Sequence, residues 1–157
     1  MIAEGVIDIV RATVADLDAI DAIERASFPV PWPRETFVGE LGREWAHVDL
    51  IRSAGRVIGF CNYWLVTTEL HILAIATVPD ERGRGIATRL LAHVLATAAA
   101  TGCSLATLEV RRSNLAAIAL YERAGFKTVH VRARYYQDDN EDALVMLRGL
   151  SADAEAT

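Results

Sequence analysis

The segment Ile75–Leu91, IATVPDERGRGIATRLL, constrains the fold more than any other stretch of the chain. An apolar, strand-like run ends at Pro79, and the turn Asp80-Glu81-Arg82-Gly83-Arg84-Gly85 follows it. Ile86, Leu90, Leu91, Val94, Leu95 and Ala98 then recur with helical spacing. Strand, glycine turn and helix start thus fall within about a dozen residues. Such a turn presents bare backbone N–H groups, with arginines nearby, at the positive end of a helix dipole. That arrangement suits an anion such as phosphate.

The spacing excludes two common phosphate sites. A dinucleotide fingerprint needs a third glycine three residues after Gly85, where Thr88 stands, and the Gly-Lys-Ser/Thr of a P-loop is absent. A glycine turn that only redirects the chain remains possible on the fragment alone. The net charge of -5 argues against a general nucleic-acid binder. No window is apolar enough for a membrane span, because Leu90–Leu108 is interrupted by His93, Thr97, Thr101, Gly102 and Ser104. Cys61 and Cys103 have no metal-ligand or CxxC spacing and read as buried free thiols. MIAEGVIDIV carries no basic start typical of a signal peptide, so a cytoplasmic protein is expected.

At 157 residues the chain reads as one domain, residues 1–150, with a short polar tail from Ser151. A first strand is expected over Val6–Ala12, then a helix opened by Thr13 with Asp16 as capping partner and Leu17, Ile20 and Ile23 or Ala26 facing inward. Ser27–Pro33 holds three prolines in five residues and reads as a stiff loop. A short helix over Arg34–Leu41 follows, then a meander of strands at Ala46–Arg52, Val57–Val66 and Leu70–Val78. A helix from Gly83 to Thr101, ended by Gly102, leads to a strand at Leu105–Val110. A helix over Asn114–Ala124 and strands at Phe126–Ala133 and Asp142–Arg148 complete a β-α-α-β-β-β-α-β-α-β-β order. This is an α/β mixed sheet with helices on both faces.

Arg82-x-x-Gly85-x-Ala87 at a strand-to-helix junction resembles the acetyl-coenzyme A signature of the GNAT N-acetyltransferases. The resemblance continues through Phe28-Pro-Val-Pro-Trp, Glu69-Leu-His-Ile-Leu-Ala-Ile-Ala, Leu108-Glu-Val-Arg, Ser113–Tyr121, Gly125-Phe and Arg134-Tyr-Tyr with Glu141-Asp-Ala. Those segments look like the bacterial branch that acetylates the N-terminal alanine of a ribosomal protein. The resemblance implies a GNAT fold with a largely antiparallel sheet of about seven strands. It also implies acetyl-CoA as cosubstrate and no metal. Ile75, Ala76 and Thr77 would contact the pantetheine arm through backbone groups. Arg82, Gly83, Arg84, Gly85, Ile86, Ala87 and Thr88 would form the pyrophosphate loop. Thr77 and Ala87 depart mildly from the commoner aliphatic residue and glycine. The acceptor would be a ribosomal-protein N-terminus, with no nucleic acid or membrane involved, and a monomer is expected.

Acyl transfer to an amine needs a neutral nucleophile. A peptide α-amine has a pKa of about 7.7–8.0, so deprotonating it near pH ~7.5 costs well under ~1 kcal/mol, against about 4 kcal/mol for a lysine. By resemblance Glu109 is the general base and Tyr121 the acid that protonates the departing sulfur. Read alone, Glu109 on an apolar strand could equally be an edge residue paired with Arg111 or Arg112, and Tyr121 a packing residue. Asn114 and Tyr121, seven positions apart, share one helix face. Asn114 is suited both to cap that helix and to contact the coenzyme. Glu69 and His71, on one strand face, are rivals for the base and are read as substrate-side. Trp32 and Tyr135 read as walls of an acceptor groove, although core packing would also place Trp32. The acidic run Gln137–Glu141 reads as a mobile hairpin. Transfer to lysine side chains or small amines, and a non-catalytic acetyl-CoA-binding module, are the alternatives.

Overall fold

The computed structural model describes residues 6–150; the expected polar tail lies outside the described residues. Seven strands, β1 (Ile7–Arg11), β2 (Ala46–Ser53), β3 (Arg56–Val66), β4 (Glu69–Thr77), β5 (Leu105–Arg111), β6 (Lys127–Tyr136) and β7 (Glu141–Gly149), form one sheet ordered β1-β2-β3-β4-β5-β7-β6. The helices are α1 (Leu17–Ser27), α2 (Arg34–Leu41), α3 (Ile86–Ala100) and α4 (Leu115–Arg123). The element order expected from the sequence is the one observed. Only β4 and β5 run parallel.

Local chemistry sets each connection. Ala54 and Gly55, with φ of 50° and 83°, form the two-residue link that matches the twist of β2 and β3. A short 3₁₀ turn precedes α1, and there the Asp16 carboxylate accepts from Thr13 N–H at 2.8 Å, the expected capping contact. The parallel step from β4 to β5 requires a crossover, which α3 supplies. Its buried face is Ile86, Leu90, Leu91, Val94, Leu95 and Ala98, as the spacing predicts. His93 falls on its exposed side.

Alternation along β3 sends neighbouring side chains to opposite faces. On one face a Cβ at Gly59 would meet Ile86 of α3 at 3.5 Å, whereas Phe60 packs edge-on against Phe37 of α2 at 5.8 Å. Helices therefore cover both faces. Several boundaries shift by a residue, and those of α3 and β6 shift further. Helix α3 begins at Ile86, because Gly83 and Gly85 hold φ of 79° and 78° and cannot be helical. Strand β6 continues to Tyr136 but is irregular, with register shifts at Thr128/His130 and Arg132/Tyr136. Both cysteines are free and buried. Among the described residues no helix is long and apolar enough to cross a membrane.

Candidate active site

Parallel pairing between β4 and β5 covers only Glu69↔Leu105 to Ile72↔Leu108. Leu73 is then bulged out of the β3 ladder, since Tyr63 pairs with Ile72 and Asn62 with Ala74. From Leu73 to Thr77 the far edge of β4 has no strand beside it, and the two strands part. Two adjoining chambers occupy the opening, of about 420 Å³ and about 510 Å³. Both are lined by Phe28, Ile75, Asn114 and Ala117, so they form one cleft.

The larger chamber holds the residues expected to meet the coenzyme. Ile75, Ala76, Thr77, Arg82, Gly83, Gly85, Ile86, Ala87 and Thr88 all line it. The first helical hydrogen bond of α3 runs from Arg89 N–H to Gly85 O at 3.0 Å, so the N–H groups of Gly85, Ile86, Ala87 and Thr88 have no intrahelical acceptor. The arginines behave differently from the sequence expectation. Arg82 donates through Nε to Thr77 O at 3.0 Å, and through Nη2 to Ala26 O at 3.3 Å and Ser27 Oγ at 3.2 Å. Its side chain braces the turn against the end of α1, and it occupies a lone pair of the Thr77 carbonyl. Arg84 lies 3.6 Å from Glu81 and outside the chamber lining. What this chamber offers an anion is therefore mainly backbone N–H. Asn114, which lines both chambers, caps α4 by accepting from Ala117 N–H at 3.2 Å.

Glu109 and Tyr121 line the smaller chamber together with Asn114. Glu109 stands on the half-exposed face of β5, between buried Leu108 and Val110. Arg132 Nε lies 3.5 Å from Glu109 Oε2, a separation without hydrogen-bond alignment, and that oxygen is otherwise buried and unpartnered. The alternative pairing of Glu109 with Arg111 or Arg112 does not form. Instead Arg111 binds Asp138 at 3.0 Å, Asp139 at 3.1 Å and Glu141 at 3.3 Å, and its guanidinium covers the Tyr136 ring at 4.0 Å. The acidic hairpin is thus fastened to β5. Tyr121 is buried, packs against Phe126 at 5.7 Å, and has its phenol pushed well above the usual range by burial. It is a neutral hydroxyl at any working pH.

Trp32 lines the same chamber and packs on Phe37 at 5.5 Å, so wall and core contact coincide in it. Tyr136 lines the chamber, but Tyr135 does not. The register shift before Tyr136 and the φ of 52° at Arg134 break simple alternation there. Tyr135 instead reaches Glu109; burial, with that carboxylate next, raises its phenol pKa. Glu69 and His71 pair with each other at 3.2 Å beside the intact part of the β4–β5 ladder and line neither chamber. Glu24 was not singled out by the sequence, yet it lines the chamber and is only 4% exposed. Its Oε2 accepts from Trp32 N–H at 2.9 Å. The available signal was its place next to Ile23 and four residues after Ile20, on the inward face of α1.

A parted parallel pair thus places free helix N–H groups on one side of a cleft and a carboxylate with a neutral phenol on the other. The chain belongs to the acetyltransferase (GNAT) family, which matches residues 17–126. Within it, the chain is 35% identical over 138 residues to the [ribosomal protein bS18]-alanine N-acetyltransferase of Escherichia coli K12, covering 87% of this chain and 93% of that protein. The crystal structure of the Escherichia coli ribosomal-protein-S18-alanine N-acetyltransferase superposes with a TM-score of 0.86 at 33% identity, covering 92% of this chain and 94% of that one. Arabidopsis thaliana NAA60 in complex with acetyl-CoA shares the fold, with a TM-score of 0.83 at 22% identity over 92% of this chain and 98% of that one.

Proposed function

We propose that this chain is a peptide Nα-acetyltransferase that moves acetyl from acetyl-CoA to the α-amine of an N-terminal alanine on a ribosomal protein. Residues 1–150 would act as one domain, in the cytoplasm. The observation that carries the reading is the single cleft, with an anion seat at α3 and Glu109 and Tyr121 at its other end. The relatives' acceptor supports the choice of amine.

In this reading the N–H groups at the start of α3 hold the pyrophosphate, with Arg82 bracing the turn and not itself binding the anion. The free edge of β4 at Ile75–Thr77 holds the pantetheine arm, and Asn114 donates at the junction. Thioester and amine then meet between Glu109 and Tyr121. Glu109 takes a proton from the ammonium, directly or through water, and the nitrogen lone pair bonds to the acetyl carbon. The C–S bond breaks, Tyr121 gives its proton to the leaving sulfur, and the second proton on the new amide nitrogen passes to the phenolate, directly or through water. A base of ordinary strength suffices, since an α-amine is close to neutral already.

The test offers acetyl-CoA with a short peptide bearing a free N-terminal alanine, and with the same peptide N-blocked but containing lysine. Coenzyme A release with the first and little with the second is expected. Preference for the second would move the acceptor to lysine, and binding of acetyl-CoA without release of thiol by either would make the chain a binding module.

A further inference from the structure

Three acidic side chains line the smaller chamber: Glu24, Glu109 and Asp138. Asp138 is paired with Arg111 and Glu109 faces Arg132. Glu24 has no cation beside it among the described residues, and its Oε1 is buried without a hydrogen-bond partner. Burial pushes its pKa above the ordinary carboxylate value, opposed in part by the Trp32 N–H and reinforced by Asp21. A buried carboxyl in that condition is costly to ionise, and a cation beside it would offset that cost. Nothing in the packing of α1 requires a charge here, because Ile20 and Ile23 flank it on the same apolar face.

We propose that Glu24 is the carboxylate that receives the α-ammonium of the acceptor, and so selects a free N-terminus. The inference rests on the Nα-acceptor reading above. Oε2 remains on the Trp32 N–H and fixes the aromatic wall, while the unpartnered Oε1 is the oxygen that accepts from the incoming nitrogen. After Glu109 removes one proton, the neutral amine keeps a hydrogen bond to Glu24 and its lone pair is left for the acetyl carbon. An N-blocked peptide offers no cation and leaves Glu24 uncompensated, which is discrimination by an unmet charge.

The discriminating variant is Glu24→Gln, which keeps the side-chain volume and an acceptor for Trp32 N–H but removes the charge. Binding to the acetyl-CoA-free protein is measured by calorimetry for an alanine-initiated peptide and for its des-amino analogue, in which propionyl replaces alanyl. Wild type should prefer the amine at least ~10-fold, the usual worth of a charge-assisted hydrogen bond. Glu24→Gln should lose most of that preference and raise the peptide KM, with the acetyl-CoA KM unchanged. Preference retained in Glu24→Gln overturns the proposal. So does its absence in wild type, a measurement that stands even where the variant does not fold. Thiol release from the alanine peptide is scored separately. Its failure in wild type removes the Nα-acetyltransferase reading, whereas an active wild type with an indifferent Glu24→Gln removes only the role of Glu24.

Discussion

Replacing Arg82 with alanine separates a brace from a ligand. The side chain donates three hydrogen bonds, one part-buried to Thr77 O and two exposed to Ala26 O and Ser27 Oγ. The first is worth about 1 kcal/mol and the exposed pair about 0.5 kcal/mol or less each, so Arg82→Ala should cost roughly 1–2 kcal/mol. For a chain of 157 residues, each kcal/mol moves Tm by about 2–4 °C, which gives a fall of roughly 2–8 °C without ligand. Acetyl-CoA affinity should weaken only through loosening of the Gly83–Gly85 turn, and the salt dependence of binding should match wild type. Arg82→Lys, which keeps the charge but not the guanidinium geometry, should recover little of the lost Tm. The measurements are scanning calorimetry of the ligand-free protein and acetyl-CoA titration at two ionic strengths. An unchanged Tm with a salt-sensitive collapse in affinity, rescued by lysine, would show that the guanidinium binds the anion after all.

Glu109→Gln and Tyr121→Phe should each lower kcat about 10²–10⁴-fold, while acetyl-CoA affinity measured by calorimetry stays at the wild-type value. Because burial raises the Tyr121 phenol, it adds no ionisation near neutrality, and the pH–rate profile of Tyr121→Phe should keep its shape and lose only height. Arg111→Ala removes three carboxylate contacts and the cover over Tyr136; a loss of about 1–3 kcal/mol in stability and a raised peptide KM are expected, read by denaturation and initial rates. Glu24 has its folded pKa raised above the ordinary 4.5, so the native state holds the proton more tightly and wild type loses stability as pH rises through that window. Denaturation of Glu24→Gln against wild type should show the variant gaining on wild type from pH ~4.5 upward.

Much of the fold could be read from punctuation and period. Ser53-Ala54-Gly55, Gly102 and Gly125 each mark a real end, and the apolar face of α3 is the one its spacing predicts. Glycine was misread only as the first turn of α3, because periodicity locates a helix while left-handed φ at Gly83 and Gly85 excludes them from it. The chemistry was less legible wherever a role depends on a distant partner. Arg82 looks like an anion ligand until Ala26 and Ser27, more than fifty residues earlier, are brought beside it. Glu24 looks like one more solvated helix acid until the proline loop folds back and Trp32 covers it. Tyr135 was read as the groove wall, but beyond the register shift in β6 it is Tyr136 that lines the chamber.

The position of the cleft follows from the one parallel pair in the sheet. Parallel strands end on the same side, so the helices that follow β4 and β5 both start there: α3 after Thr77 and the glycine turn, α4 after Arg111 and the Asn114 cap. Two helix starts and one strand-borne carboxylate are thereby gathered without any long loop. Had β5 run antiparallel to β4, Glu109 would sit at the opposite end from the α3 N–H groups. The Leu73 bulge then matters as much as the glycines, since full pairing past Ile72 would close the free edge of β4 and leave no opening between them. Hence a change that restores regular pairing at Leu73 would remove both chambers together while leaving Glu109, Tyr121 and the glycine turn in the sequence. The site resides in the parting of the strands, which the functional side chains then furnish.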